Sequence, residues 1–344
     1  AAVLGSLLAV GSASAATAEL FGSTGSDDLS PGGLVIDASG NLFSPYASSY
    51  SIVKVSSAGA VTASWSTALT DYGYGLAAGP SGSVFAQELQ YIRKLDSAGA
   101  QLAAYAKPSG VMEFDGVTVN ATGDAYWYSG ASKKVGTIAA GTATGTAAAG
   151  VSTTETPCAV ITDASGNVYV GTQSDGKVLK FNSSLSPVTT YTVGQRACSL
   201  AVDSTYLYVA NTNSGSVSRI KLSDGSGGSG TPWATLGSLR PTYIAVDSAG
   251  NVYTANVPMG MGSSNSITKI ASNGTPTELY STSMTLRGIA VDSATNVYFT
   301  TNGGMSPGAA GFYKITQASS TPANTPTTPA TSSSAPTPGP ALKV

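Results

Sequence analysis

The stretch that decides the fold is Ile244-Ala245-Val246-Asp247-Ser248-Ala249-Gly250-Asn251-Val252-Tyr253, an apolar triplet, a tight turn and a second apolar strand. The pattern recurs seven times, with one residue of each copy at the position of Asp247; we call these residues the anchors: Asp37, Gly79, Asn120, Asp163, Asp203, Asp247 and Asp292. Their spacings of 42, 41, 43, 40, 44 and 45 residues match the period of a four-stranded propeller blade. The sequence therefore predicts an all-β protein, a seven-bladed β-propeller with four strands per blade.

The repeated aspartates are predicted to form turns between the first and second strands of a blade. Asp bonds to nearby backbone amides, while Gly and Asn tolerate left-handed backbone. Calcium binding is the alternative for a repeated carboxylate, but a single Asp-x-x-Gly-Asn loop offers few oxygen ligands. A third and a fourth strand are expected to follow in each copy, as in residues 267–270 and 277–281.

The seventh copy lacks a fourth strand of its own, because the chain passes from Ile315 into a tract rich in Thr, Pro and Ser. Residues 18–23, which stand before the first repeat, match residues 277–282 almost residue for residue. We therefore predict that this N-terminal strand becomes the outer strand of blade seven. Such a strand closes the ring and leaves no blade without a partner.

The propeller is expected to occupy residues 17–317, with a short segment on each side. Residues 1–16 hold an apolar run and Ala13-Ser14-Ala15, the pattern of a signal-peptidase site; they are either a cleaved signal peptide or a segment for self-assembly into a polymer. Residues 318–344 form a Thr/Pro/Ser-rich tail, either disordered or a glycosylated spacer. Three N-x-S/T sequons are further candidate glycan sites: Asn120, Asn182 and Asn273.

Composition excludes several classes of partner. Charged residues make up 10% of the chain and the net charge is −2, so neither nucleic acid nor an anionic lipid surface is expected to bind. The apolar N-terminal run is too short for a transmembrane span. These features favour a secreted, extracellular or cell-surface protein. In such a protein we predict a disulfide between Cys158 and Cys198, each five residues before an anchor, with two buried free thiols as the alternative.

The repeat around Asp247, followed by Ser266-Ile267-Thr268-Lys269-Ile270, resembles the NHL repeat and its relatives, the streptogramin-lyase-like and gluconolactonase-like propellers. The resemblance covers residues 17–317 and implies the fold, not an activity, because such propellers serve as binding scaffolds, lyases, lactonases and structural modules. The lyases rely on a catalytic histidine and this chain has none. No residue set matches the divalent-metal site of the lactonases, so no metal and no cofactor is expected.

Candidate site residues come from the loops that lead into the inner strands, since these loops surround one mouth of the central channel. They lie seven or five positions before an anchor: Tyr72, Glu113, Asp115, Arg196, Arg240 and Arg287. The three arginines could hold a carboxylate, a sulfate or a sugar acid. The alternative is that they satisfy loop carbonyls or pair with Glu113 and Asp115.

Two functions are compatible with the sequence. The first is a non-enzymatic extracellular propeller that acts as a structural or interaction module, such as a surface, matrix or filament subunit. The second is a secreted lyase-like or lactonase-like enzyme, or a binder of a small anionic ligand or sugar, that uses the channel mouth. No serine has a visible activating base, so no catalytic residue is assigned.

Overall fold

The computed structural model describes residues 16–23, 33–46, 49–71, 73–257, 265–302 and 310–316; for residues 73, 74 and 302 only the backbone is considered. Almost the whole predicted N-terminal segment and the predicted tail, together with Tyr72, lie outside the described residues. Among the described residues no helix has the length and apolar character that crossing a bilayer requires.

Seven antiparallel sheets of four strands form a ring, as the repeat predicted. The strands, from the inner to the outer edge, are, in blade one, β2 (Val35–Ile36), β3 (Leu42–Tyr46), β4 (Ser51–Val55) and β5 (Val61–Ser66); in blade two, β6 (Gly73–Ala78), β7 (Val84–Glu88), β8 (Tyr91–Leu95) and β9 (Gln101–Ala106); in blade three, β10 (Gly116–Val119), β11 (Ala125–Ser129), β12 (Lys134–Ile138) and β14 (Val151–Ser152); and, in blade four, β15 (Pro157–Thr162), β16 (Val168–Thr172), β17 (Lys177–Phe181) and β18 (Pro187–Thr192).

The remaining strands are, in blade five, β19 (Ser199–Val202), β20 (Tyr206–Asn211), β21 (Ser216–Lys221) and β22 (Ala234–Thr235); in blade six, β23 (Pro241–Val246), β24 (Val252–Asn256), β25 (Asn265–Ile270) and β26 (Pro276–Thr282); and, in blade seven, β27 (Thr285–Val291), β28 (Val297–Asn302), β29 (Gly311–Ile315) and β1 (Ala18–Gly22). A 3-10 turn (Pro80–Gly82) precedes β7, and β13 (Gly145–Thr146) pairs in parallel with β9 as a fifth strand of blade two. The inner strands contact one another in ring order, and β2 touches both β6 and β27.

The N-terminal strand closes the ring as predicted. β1 pairs antiparallel with β29, with Ala18 opposite Ile315 and Leu20 opposite Tyr313. Phe21 packs edge-on against Tyr298 of the same blade, with 5.2 Å between the ring centroids. Blade seven is therefore built from both ends of the described chain.

The anchor side chains form the predicted turns. In blade six, Asp247 Oδ1 accepts hydrogen bonds from the backbone N–H groups of Ala249 and Asn251, and its Oδ2 accepts from Asn251 Nδ2 at 2.8 Å and Tyr253 Oη at 3.0 Å. The same scheme recurs at Asp163. Burial and the neighbouring carboxylate raise the pKa of the Tyr253 hydroxyl, which stays a donor. The repeated aspartates thus satisfy local donors.

The cations of the third strands are also structural. In five blades a lysine ammonium lies between 5.5 and 5.8 Å from the ring centroid of the facing second-strand aromatic, in the pairs Lys54 and Phe43, Lys94 and Phe85, Lys180 and Tyr169, Lys269 and Tyr253, and Lys314 and Tyr298. Such contacts contribute about 0.5–1 kcal/mol each at exposed positions. These lysines therefore contribute to the packing within their blades.

The apolar cores lie between neighbouring blades. Phe85 of blade two and Trp127 of blade three share one buried cluster, and Val55 of blade one packs with Phe312 of blade seven in another. Tyr126 and Trp127 of blade three are 1% and 0% exposed, and each belongs to a cluster of this kind. Each blade is thus held on both faces.

The outer strand of blade five is shorter than the pattern at residues 231–235 indicates. Pro232 has no N–H to donate to a sheet. The preceding residues turn toward blade four, where Thr192 donates its N–H to Gly228 O at 3.1 Å and accepts from Gly230 N at 2.9 Å. Only Ala234–Thr235 remains as a strand.

Loss of the closing strand should weaken the whole ring. We expect deletion of residues 17–23 to lower the melting temperature by about 10 °C or more, because a paired strand and the buried part of Phe21 are lost together. Calorimetry of the deleted chain beside the parent measures this. An unchanged melting temperature would show that β1 does not close the ring.

The hydrogen bonds of the anchor residues should contribute differently to stability in different blades. Asp247→Ala is expected to lower the free energy of unfolding by about 3 kcal/mol or more, because it leaves buried donors without an acceptor, and Tyr253→Phe by about 1 kcal/mol. Asp37→Ala is the matched control, since Asp37 is less buried and Phe43 stands where Tyr253 does. Urea unfolding compares the three variants, and equal losses at Asp247 and Asp37 would contradict the scheme.

Candidate ligand-binding site at the channel mouth

One end of the channel is surrounded by the loops that lead into the inner strands and by the turns between second and third strands. We call this end the mouth. A cavity of about 810 Å³ opens there between blades two and five. It is lined by Leu89, Glu113, Asp115, Tyr128, Gly130, Ala131, Lys133, Thr156, Pro157, Cys158, Gln173, Arg196 and Cys198. We call it the mouth cavity.

Blade three supplies the acidic side of the mouth cavity. Phe114 is fully buried against Trp127, with 5.1 Å between ring centroids, and its backbone bonds to Leu89 O and Gln87 Nε2. Glu113 and Asp115, on either side of the buried Phe114, both line the cavity.

The Asp115 carboxylate is held in place and only partly solvated. Its Oδ2 accepts a 2.6 Å hydrogen bond from Gly130 N, and its own N–H donates to Tyr128 O at 2.9 Å. Burial raises the pKa of Asp115 and the nearby Glu113 raises it further, while the bond from Gly130 opposes the shift. The two acids therefore concentrate negative charge on one side of the cavity.

Blade five supplies the cationic side through Arg196. Its side chain is exposed, and its backbone adopts a left-handed φ of 59°, a conformation uncommon outside glycine. The loop is tied to its neighbours: Thr212 N donates to Arg196 O at 3.2 Å and Ala197 N donates to Thr172 O at 3.0 Å. Arg196 is thus presented from a fixed backbone.

Two further features fix the Arg196 loop against blade four. The predicted disulfide is present: Cys158 of β15 and Cys198, just before β19, are bonded, with 5.0 Å between their Cα atoms. Gly171 of β16 lies so close to the loop that a Cβ atom there would meet Ala197 O at 1.9 Å. The disulfide and this close backbone contact therefore hold blades four and five together at the cavity.

Lys133 also lines the mouth cavity, but its charge is directed to blade four. Its Nζ donates to Thr154 O at 3.2 Å. A hydrogen bond from Lys177 lowers the pKa of Glu155, and the charge of Lys133 adds to that effect. Lys133 is thus engaged beside the cavity.

The other predicted arginines lie elsewhere. Arg240 donates to the carbonyls of Asn213 and Thr212, which is the loop-carbonyl alternative that the sequence left open. Arg287 keeps a buried Nε with no hydrogen-bond partner among the described residues, and its charge opposes the burial that raises the pKa of Tyr243. Neither lines the mouth cavity. Among the described residues no ion pair joins an arginine of this set to Glu113 or Asp115.

Two residues from turns between second and third strands, Lys133 and Gln173, also line the mouth cavity and were not predicted from the sequence. Lys133 follows β11 and Gln173 follows β16, so both reach the mouth from turns between second and third strands. The antiparallel strand order was a usable signal, because it places these turns at the same end as the loops that lead into the inner strands.

Two smaller cavities lie along the channel below the mouth, and Asp115 is the one charged residue, among those described, that lines either of them. A cavity of about 280 Å³ shares Asp115, Tyr128 and the disulfide with the mouth cavity, and another of about 460 Å³ is lined by inner-strand residues such as Leu34 and Ile289. In the part of the chain that the structure describes, no three His, Cys, Asp or Glu side chains come together as metal ligands. Of these three cavities, the mouth cavity thus holds the most charged side chains.

No protein-family model matches the sequence, and no curated protein matches it. Among solved structures, a streptogramin B lyase is similar with a TM-score of 0.69 at 14% identity, covering 87% of this chain and 97% of that one. A catalytically inactive His-to-Ala variant of virginiamycin B lyase from Staphylococcus aureus with quinupristin gives 0.67 at 15%, covering 88% and 99%. A gluconolactonase from Xanthomonas campestris gives 0.53 at 15%, covering 88% and 90%. These similarities show the propeller fold.

Because the pKa of Asp115 is raised, replacing its carboxyl group with a neutral amide should stabilise the protein, by an amount that depends on pH. Because the folded state disfavours the ionised carboxyl, this group costs stability above its folded pKa and nothing below its unfolded pKa near 4. Asp115→Asn, which keeps an acceptor for Gly130, should therefore raise the free energy of unfolding at pH 7, and the gain should vanish toward pH 3. Urea unfolding at several pH values measures the difference. The difference in unfolding free energy between variant and parent should be larger at pH 7 than at pH 3. A difference that is smaller at pH 7 would contradict this assignment.

Proposed function

We propose that this chain works outside the cell as a non-catalytic binding module, a rigid propeller that takes a small polar ligand at its mouth cavity. The observation that carries the proposal is the cavity itself, where Glu113 and Asp115 face a space shared with Arg196, and no ion pair joins them among the described residues. Partly buried charges lose solvation and gain from a bound partner of opposite charge. Concave sites with a few convergent polar groups are the usual place for a ligand.

The disulfide supports the extracellular part of the proposal. Bonds between cysteines persist in oxidising compartments and are rare in the cytosol. The non-catalytic part rests on the side chains at the mouth, where binding groups are gathered from blades three to five. The chain has no histidine, the residue replaced in the inactive lyase variant, so it would need different chemistry to act as that enzyme does.

A structural subunit is the second candidate. Three contacts that stabilise the ring favour it. The strand β1 joins the two ends of the described chain, the disulfide joins blades four and five, and β13, from the connection within blade three, covers the outer edge of blade two. Self-assembly through residues 1–16 and glycans at Asn120, Asn182 and Asn273 remain proposals of this second function.

A thermal-shift screen of polar fragments on the full chain tests the proposed function. A fragment at 100 times its Kd adds about 2.7 kcal/mol, or roughly 5 °C. We expect hits whose shift is lost in Arg196→Gln and in Glu113→Gln. Arg240→Gln is the matched control, because Arg240 does not line the cavity, and it should keep the shift.

Two outcomes would contradict this function. One is a screen without any hit, and the other is a set of hits that survives both cavity substitutions. Consumption of a hit by the parent protein, measured by chromatography, would show that the protein is an enzyme and not a binding module.

A further inference from the structure

The mouth cavity has two ends of opposite charge. Glu113 and Asp115 belong to blade three, whereas Arg196 belongs to blade five. Between them blade four contributes uncharged polar groups, Thr156 and Gln173. The separation of the charged groups is therefore set by a whole intervening blade.

The negative end is not neutralised by the cations of the cavity. Among the described residues no ion pair joins Arg196 or Lys133 to Glu113 or Asp115. Lys133 is bonded to Thr154 O and lies beside Glu155. The acid pair is thus open to a cationic partner in the cavity.

The positive end is equally available and equally fixed. No hydrogen bond or ion pair from the Arg196 guanidinium is found among the described residues, while its backbone is held by bonds to Thr212 and by the adjacent disulfide. A guanidinium presented in this way binds a carboxylate through two parallel hydrogen bonds. A fixed loop also lowers the entropy lost on binding.

We infer that the mouth cavity takes a linear zwitterion, with its ammonium group at Glu113 and Asp115 and its carboxylate at Arg196. The inference rests on the proposed binding function and names the class of its ligand. The cavity volume of about 810 Å³ is within the usual range for small-molecule sites. Because blade four stands between the two charged groups, we expect the two charges of the ligand to be several bonds apart, and Thr156 and Gln173 of that blade can bond to its middle.

Matched six-carbon probes separate the two charges. Isothermal titration of the full chain with 6-aminohexanoate, hexanoate and hexylamine compares a zwitterion with an anion and a cation of similar length. Because each end adds hydrogen bonds to a charged group, we expect 6-aminohexanoate to bind at least about tenfold more tightly than either single-charge probe.

Single substitutions test which charged group of the ligand contacts Arg196 and which contacts Glu113. Arg196→Gln should bring 6-aminohexanoate down to the affinity of hexylamine, and Glu113→Gln should weaken 6-aminohexanoate and hexylamine while leaving hexanoate unchanged. Arg240→Gln should alter none of the three affinities. Circular dichroism of each variant confirms that the propeller is intact, and Gly171→Ala, which pushes on Ala197 O, should mimic Arg196→Gln by displacing the loop.

The outcomes distinguish the inference from the proposed function. Equal affinity for hexanoate and 6-aminohexanoate, lost in Arg196→Gln, would overturn the zwitterion and keep a ligand at the mouth. No binding by any of the three probes would also overturn the zwitterion, while fragment hits sensitive to Arg196→Gln would still support the function. Zwitterion binding unaffected by both cavity variants would overturn the assigned ends.

Discussion

Five residues near one end of the chain complete a sheet whose other three strands come from the opposite end. The hydrogen bonds between Ala18–Gly22 and Gly311–Ile315 are the constraint on which the other contacts depend. Every blade buries both faces against its neighbours, so blade seven can support blade one only when its own sheet is complete. The ring order of the inner strands, and with it the position of each loop at the mouth, follows from that closure.

The two ends of the ring differ in how their side chains are bonded. At one end the anchors such as Asp247 satisfy the donors of their own turns, and the local bonds repeat from blade to blade. At the mouth the loops differ between blades, and here Glu113, Asp115 and Arg196 line one cavity and take part in no ion pair within the described part of the chain. Loops positioned by a rigid scaffold are where binding groups are most often found. In the proposed function, the loops at this second end hold the ligand.

Regular spacing made most of the fold predictable from the sequence. The period indicated the blades, the match of residues 18–23 to 277–282 indicated the closing strand, and equivalent positions of Cys158 and Cys198 indicated the disulfide. β13 could not be found in this way, because its parallel pairing with β9 depends on a loop crossing to another blade and not on the repeat.

The site was predictable only as a set of loop positions. Arg196 and Arg240 stand at the same distance before their anchors, yet the first lines the mouth cavity and the second bonds to the carbonyl of Asn213. Spacing gives the place of the backbone, whereas the direction of a long side chain depends on which carbonyls lie within reach. The close approach of Gly171 to Ala197 is likewise a tertiary contact that no local pattern encodes.

Hydrogen exchange of the closing strand tests most directly whether one closed ring holds the mouth. The backbone amides of β1 that bond to β29 should exchange as slowly as the bonded amides of β28 and β29, because all of them open only when the ring unfolds. Mass spectrometry of the full chain after timed labelling resolves the two segments. Rapid exchange in residues 18–22 beside slow exchange in residues 297–302 would show an open ring and contradict the account.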